Sequence, residues 1–215
     1  EYVTTASTGN VTDFGNLSGT LNRGAGFGST TRGIVVDGTS NKIEYVTIAS
    51  LGNSVDFGDT TANSSDNQAR AAGSTTRLIF GGFQSNKDQA EYITIGSTGN
   101  SQAFGDLGAD NFSNSAVVSS STRCVWMGGQ STDNIVYVTI ASTGAGSTFG
   151  NLTAATAQGA GASNKTIGTI MGGSTYTNVI EQITIATTAN STDWGDLTAA
   201  KRQAAGLSNA HGGLA

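Results

Sequence analysis

The sequence predicts an all-β protein, specifically a five-bladed β-propeller with four antiparallel strands in each blade. Three observations support this prediction. One segment of about sixteen residues recurs five times, each repeat contains four short strand patterns, and each end of the chain holds half of a repeat. An internal period of this size is typical of solenoids, propellers and arrays.

The recurring segment is clearest in residues 44–59, which read EYVTIASLGNSVDFGD. Close copies begin at Glu1, Glu91, Val136 and Glu181, so that successive copies start 43, 47, 45 and 45 residues apart. In each copy, alternating side chains predict one strand, and the residues around the aromatic predict a second. Glycine and asparagine between the two strands tolerate positive φ, so we expect a tight hairpin there.

Two more strands precede each copy. A run of small residues, such as ARAAG at 69–73, fits a place where several backbones converge on a narrow axis, so we place it innermost. An apolar run closed by a glycine pair, such as TRLIFGG at 76–82, predicts the second strand. No segment shows the 3.6-residue apolar period of a helix. Each repeat therefore predicts four antiparallel strands, as in a propeller blade.

The two ends of the chain predict how the ring closes. Residues 1–17 hold only a third and a fourth strand, and residues 200–215 hold only a first and a second. Neither half can bury its faces alone, so we expect the two to combine into a fifth blade, which protects their edges. The predicted single domain, residues 1–215, divides into blades at about 18–60, 61–107, 108–151, 152–197, and 198–215 joined by 1–17.

Composition argues against several classes of function. The net charge is −5 and the pI is about 4.6, so the chain is not expected to bind the phosphates of nucleic acids. No apolar run reaches the roughly 18 residues of a membrane span. The single cysteine, Cys124, lies in an apolar run and is interpreted as a small buried hydrophobe rather than a reactive thiol.

Apparent chemical motifs are better explained by the repeat. Asp56, Phe57 and Gly58 match the DFG of protein kinases, but the triplet recurs in another repeat and the accompanying kinase motifs are missing. Acid pairs such as Asp56 and Asp59 lack the further oxygen ligands of a calcium site. His211, the only histidine, is expected to take the structural position that arginine fills in other repeats. We therefore predict no catalytic site, metal or cofactor.

One face of the predicted propeller varies between blades. The hairpins, such as that at Gly52 and Asn53, lie on a nearly uniform face, whereas the loops after the glycine pairs lie on the opposite face and differ in every repeat. Loops on a rigid scaffold commonly carry binding residues, although an unconstrained surface is the alternative. The candidate ligand-binding residues are Phe83, Gln84, Asn86, Lys87, Gln130, Tyr176 and Asn178.

The order of these elements resembles the kelch motif of β-propellers. The shared features are a strand ending in Gly-Gly, a strand with a tyrosine, an aromatic residue further on, and an arginine opening the next inner strand (Arg23, Arg70 and Arg202). The resemblance covers the whole chain as a pattern and implies the propeller fold. The chain departs from the motif where phenylalanine replaces the usual tryptophan, which only Trp194 keeps.

The wording of the repeats, EYVTIASLGN and the DFGN or DFGD that follows, resembles repeats of virion structural or tail-fibre-like proteins of marine bacteriophages. This resemblance implies a non-enzymatic binding or adhesion module, located on a virion or outside the cell, that recognises a host-surface polysaccharide or protein. Because the chain is acidic, the expected partner is a neutral polar surface. Two alternatives remain open. One is a purely structural decoration or assembly protein that contacts other virion proteins within an oligomer, and the other is a glycan-active enzyme on a propeller fold.

Overall fold

The computed structural model describes residues 1–4, 6–61, 70–83, 88–174 and 176–207. This part of the chain forms sixteen β-strands and no helix, and it therefore contains no helical segment able to span a membrane. The strands form four sheets, each with four antiparallel strands that pair in chain order. The predicted all-β class and the four-stranded repeat are confirmed, and the arrangement fits a propeller-like fold.

The bounds of the strands follow the repeat. The first sheet contains β1 (Ala25–Gly28), β2 (Arg32–Val36), β3 (Lys42–Thr47) and β4 (Val55–Asp59). The second contains β5 (Arg70–Gly73), β6 (Arg77–Gly81), β7 (Gln89–Thr94) and β8 (Gln102–Asp106). The third contains β9 (Ala116–Ser119), β10 (Arg123–Gly129), β11 (Thr132–Thr139) and β12 (Ser147–Asn151). The fourth contains β13 (Ala160–Ser163), β14 (Ile167–Met171), β15 (Val179–Thr184) and β16 (Thr192–Asp196).

The strands of small residues are innermost, as predicted. Strand β9 packs against both β5 and β13, and β1 packs against β5. The approach is close enough to require glycine, because a Cβ atom at Gly161 would lie 2.7 Å from the carbonyl oxygen of Val117. Small side chains are therefore selected by the convergence of backbones on the axis.

Each sheet contains a bulge in its outer pair of strands. In the first sheet Ile43 pairs with Gly58 and Glu44 pairs with Asp56, so Phe57 is the extra residue of β4. The other three sheets show the same register shift. Because a bulge bends the strand and redirects a side chain, the ring of Phe57 enters the space between two sheets, where it is only 2% exposed.

The hydrophobic core lies between neighbouring sheets. One cluster joins the first and second sheets and includes Ile34, Phe57 and Leu78. A second cluster joins the second and third sheets around Trp126, and a third joins the third and fourth sheets around Phe149. Each sheet therefore shares apolar contacts with the next one along the chain, as blades do around an axis.

The sequence predicts buried aromatic residues at Phe14, Phe57, Phe104, Phe149 and Trp194, and the structure corrects this prediction at Trp194 and leaves Phe14 only half-buried. Phe57, Phe104 and Phe149 are buried as predicted, but Trp194 is 61% exposed. The reason is local. Gly58 closely approaches the next sheet, whereas a Cβ atom added at Gly195 would meet no atom within 4 Å. The outer face of β16 therefore has no neighbour among the described residues.

The first residues of the chain adjoin the first sheet as one blade adjoins the next. Tyr2 forms an antiparallel bridge with Thr12 and packs edge-to-face on Phe14 at 6.0 Å between ring centroids. The same ring contact, also at 6.0 Å, joins Tyr45 and Phe57 in the first sheet. Residues 1–17 thus form part of a further unit of the repeat, consistent with the half-repeat that the sequence predicts.

The last described residues adjoin the fourth sheet. The amide of Gln203 donates to the carbonyl of Gln158 at 2.9 Å, and the amide of Gln158 donates in the same way to Asn114 at 2.7 Å. The four complete sheets do not by themselves establish the predicted number of five blades. Residues 208–215, in which the fifth blade would continue and which include His211, lie outside the described residues.

The glycine-asparagine turn differs from the predicted tight hairpin. Strand β3 ends at Thr47 and β4 begins at Val55, so residues 48–54 form a longer connection. Gly52 instead contacts the preceding unit, because its amide donates to the carbonyl of Phe14 at 2.8 Å. The side-chain Oδ1 of Asn53 accepts a hydrogen bond from the amide of Asn16 at 2.9 Å. The turn therefore contacts the preceding unit in addition to joining β3 to β4 of its own sheet.

Candidate functional site

The loops after the second strands are shaped by glycine pairs. Gly128 and Gly172 adopt φ values of 65° and 66°, in the left-handed region that favours glycine. A Cβ atom at Gly128 would also lie 2.2 Å from the carbonyl oxygen of Thr156. The glycine pair is thus needed because the loop lies against the connection that leads into the next sheet.

The structure separates the predicted ligand-binding residues into three groups. Gln130 is exposed, Tyr176 is 58% exposed and Asn178 is half-buried, so these three are accessible from solvent. Phe83 is only 1% exposed and packs edge-to-face on Phe80 at 6.2 Å, so the prediction that its ring stacks on a ligand is corrected. An aromatic residue beside an apolar strand gains more from burial than from exposure. The remaining predictions, Gln84, Asn86 and Lys87, lie outside the described residues.

The loops that carry Gln130 and Tyr176 lie on either side of one connection. The amide of Gly129 donates to the carbonyl of Thr156 at 2.9 Å, and the amide of Ser174 donates to the carbonyl of Ala157 at 2.7 Å. Residues 156–157 thus lie between the two loops. The variable loops of the third and fourth sheets therefore adjoin each other across the buried residues 156–157 and form one region, here called the loop surface, defined by residues 128–131, 156–157, 172–174 and 176–178.

Tyr176 is held in place by Arg202. The guanidinium carbon of Arg202 lies 4.4 Å from the centroid of the Tyr176 ring. The backbone of Lys201 is tied to the same loop, because its carbonyl accepts the amide of Gly173 at 2.8 Å. Tyr176 itself adopts a φ of 52°, which is uncommon for a residue with a side chain. An exposed aromatic ring that stacks on a cation offers a platform on which a ligand can stack. The sequence does not indicate the pairing of Tyr176 with Arg202, because the two residues are far apart in the chain.

Two cavities of about 220 Å³ each lie along the axis, between the inner strands. The cavity nearer the loop surface, here called the loop-side cavity, is lined by Gly24, Arg70, Ser115, Gly159 and Ala204, among others. The second is lined by residues such as Phe27, Val118 and Leu207. The sequence predicts a narrow axis from the small residues, but it does not show that the strands leave space between them.

Strand register corrects one detail of the motif assignment. Ala25 pairs with Val36 and Arg70 pairs with the equivalent Gly81, so Arg70 corresponds to Ala25 rather than to Arg23. The same register places Ala116 and Ala160 at this position in the next two sheets. The arginines that open the inner strands are therefore not equivalent, and Arg70 is a long cationic side chain at a position that is otherwise small.

Another set of arginines joins the sheets. Arg32, Arg77 and Arg123 each stack on a tyrosine of their own sheet, with 4.3–4.4 Å between the guanidinium carbon and the ring centroid. Each also donates from Nη1 to a backbone carbonyl of the following sheet, as Arg77 does to Ile140 at 2.7 Å. These contacts support the structural role that the sequence predicts for the arginine at this position of the repeat.

Glu181 and Cys124 are two buried ionisable residues in the described part of the chain. Glu181 is buried and accepts hydrogen bonds from Ser191 Oγ and from Thr153, whose hydroxyl lies 2.6 Å away. No group of three or more potential metal ligands occurs within the described ranges. Cys124 is fully buried, as predicted, and burial raises the pKa of its thiol far above the usual range.

Comparison with known proteins reveals similarity of fold. No protein-family model matches the chain, and no curated protein matches it. Among solved structures 190 chains match, including the structure of YjhT, with a TM-score of 0.67 at 8% sequence identity. That match covers 87% of this chain and 74% of YjhT. At so low an identity, the likeness concerns the fold alone.

Proposed function

We propose that this protein is a non-enzymatic binding module whose loop surface recognises a polar partner, such as a host-surface polysaccharide. The single observation that supports this proposal best is the exposed ring of Tyr176, stacked on Arg202. A large aromatic ring fixed at the surface suits stacking on the apolar face of a sugar. Gln130 and Asn178, on the same surface, supply amide groups suited to sugar hydroxyls.

We further propose that the four sheets belong to a closed ring of five blades, completed by residues 1–17 and 198–215. Two apolar side chains support closure. By repeat position Val3 corresponds to Ile93 and Ile183, which are 2–3% exposed, whereas Val3 is 55% exposed. Trp194 lies on the outer face of the fourth sheet, which would meet residues 1–17 in a closed ring, and it is also exposed. Bringing these two faces together would bury both side chains, as happens between the other sheets.

The biological setting that we propose is a virion, and it rests on the resemblance of the repeats to phage structural and tail-fibre-like proteins. The competing proposal is a decoration or assembly protein without a glycan ligand. Its support is the near-uniform sequence of the hairpin turns on the other face. A particle displaying many copies would gain avidity from weak individual sites.

The test is a glycan-binding screen with the wild-type chain and with the variants Tyr176→Ala and Tyr176→Phe. We expect binding to at least one neutral glycan, loss of that binding in Tyr176→Ala, and retention in Tyr176→Phe, because stacking needs the ring and not the hydroxyl. Equal binding by all three proteins would reject the loop surface as the site. Absence of any glycan binding by the wild type would favour the assembly role.

A further inference from the structure

The loop-side cavity contains a charge that the described residues do not neutralise. Arg70 lines this cavity, and no carboxylate of the described residues forms an ion pair with it. Arg70 is half-buried, so its cation has lost part of its water shell, and this burial lowers the pKa of the guanidinium. A partly desolvated cation without a partner is costly, so such groups are normally paired.

A second polar group in the same cavity also lacks a partner. Ser115, which lines the cavity from the next sheet, is fully buried, and its Oγ forms no hydrogen bond. Buried hydroxyls are hydrogen-bonded in the large majority of cases, and an exception calls for an explanation. Ser115 immediately precedes Ala116, which occupies the register position of Arg70 in the next sheet, so Arg70 and Ser115 lie at neighbouring levels on adjacent inner strands.

The surroundings of these two groups favour an anion. Apart from Arg70 and Ser115, the described lining consists of glycine, alanine and valine, and no acidic side chain lines the cavity. The volume of about 220 Å³ is below the roughly 300–1,000 Å³ of pockets for drug-sized ligands. The space therefore suits a small ion or one protruding group of a larger ligand.

We infer that the loop-side cavity binds a small oxyanion, a carboxylate or a phosphate, between Arg70 and Ser115. The guanidinium offers two parallel N–H donors that match the two oxygens of such a group, and the Ser115 hydroxyl donates a further hydrogen bond. The site is distinct from the Tyr176 platform and does not depend on the proposed recognition of glycans. It also explains why an acidic chain keeps a cation at a position filled elsewhere by Ala25, Ala116 and Ala160.

The experiment is isothermal titration calorimetry of the full chain with inorganic phosphate and, separately, with sodium acetate, in a chloride-free buffer. The variants are Arg70→Gln, Arg70→Lys and Ser115→Ala. Lys165→Gln is the matched control, because it removes one positive charge at an exposed position in the connection between β13 and β14. Comparison of the two titrations shows whether the site prefers carboxylate or phosphate.

We expect Arg70→Gln to weaken anion binding at least about tenfold, as loss of a charge-assisted hydrogen bond predicts. Arg70→Lys should weaken it less, because the charge remains while the paired donors are lost. Ser115→Ala should have a smaller effect of a fewfold, and Lys165→Gln should bind like the wild type. The inference is overturned if the wild type binds neither anion, if Arg70→Gln binds as well as the wild type, or if Lys165→Gln loses as much affinity as Arg70→Gln. If Arg70→Gln does not fold, Arg70→Lys is the deciding variant, because it keeps the charge and loses the paired donors. Binding by Arg70→Lys as tight as that of the wild type would then overturn the inference.

Discussion

The amide of Gly99 donates a hydrogen bond of 2.7 Å to the carbonyl of Phe57, across the boundary between the first and second sheets. Gly144 makes the same bond to Phe104, at 2.9 Å, at the next boundary. Each bond joins the turn of one sheet to the bulged aromatic residue of the sheet before it. The repeat thus encodes not only a sheet but also the contact between consecutive sheets, and the first two predictions test that contact.

Truncation of the bulged aromatic should be costly only where a neighbouring sheet covers it. Phe57→Ala removes a ring that is 2% exposed, and we expect the free energy of unfolding to fall by about 3–5 kcal/mol. Trp194→Ala is the matched variant in the fourth sheet, where the side chain is exposed. Chemical denaturation measures both. A loss at Trp194 as large as that at Phe57 would show that β16 is covered in solution, as closure of the ring requires.

Alanine substitution of the glycine after the aromatic gives an independent test of closure. Gly58 and Gly195 have similar φ values of 147° and 143°, so alanine strains the backbone equally at both. They differ in their surroundings, because a Cβ atom at Gly58 would lie 2.4 Å from the carbonyl oxygen of Gly99, whereas Gly195 has open space. In a closed ring of five blades we expect Gly195→Ala to lower the melting temperature as much as Gly58→Ala does. A much smaller effect at Gly195 would contradict closure at this boundary.

Much of this architecture could be predicted from the repeat, whereas the sites could not. The strand order and the inner position of residues such as Ala71 follow from local patterns, which hold in every repeat. The burial of Phe83 and the exposure of Trp194 depend on which segment of the chain packs against each side chain. The order of residues in the sequence does not reveal that segment. The pairing of Tyr176 with Arg202 joins two distant segments, so no local pattern indicates it. The sequence shows an arginine at position 70, but the cavity that this arginine lines forms only when the inner strands are arranged around the axis.

The buried carboxylates should stabilise the boundaries through their threonine donors. Thr153, in the connection before the fourth sheet, donates to Glu181 from both its amide and its hydroxyl, the latter at 2.6 Å. Thr153→Val keeps the shape but removes the hydroxyl, and we expect a loss of about 1–3 kcal/mol, because a hydrogen bond to a buried charged group is removed. Thr188→Val, at an exposed position in the connection between β15 and β16, is the control and should change stability little. Equal unfolding curves for Thr153→Val and the wild type would show that Glu181 is satisfied without this donor.

The last prediction concerns how Arg202 supports the proposed binding surface. If the guanidinium serves to hold the Tyr176 ring, Arg202→Gln should weaken glycan binding by about two- to fivefold, the range expected for an exposed cation–π contact. The loss should be the same at low and at high salt, because the ligand contacts the ring and not the charge. Arg202→Lys, which keeps a cation beside the ring, should lose less.

A direct ion pair between Arg202 and an acidic ligand predicts the opposite pattern: wild-type affinity would fall steeply with salt, and the affinity of the Gln variant would become insensitive to salt. Binding measured at two salt concentrations for the three proteins therefore separates a platform for neutral sugars from a charge that reads an acidic one.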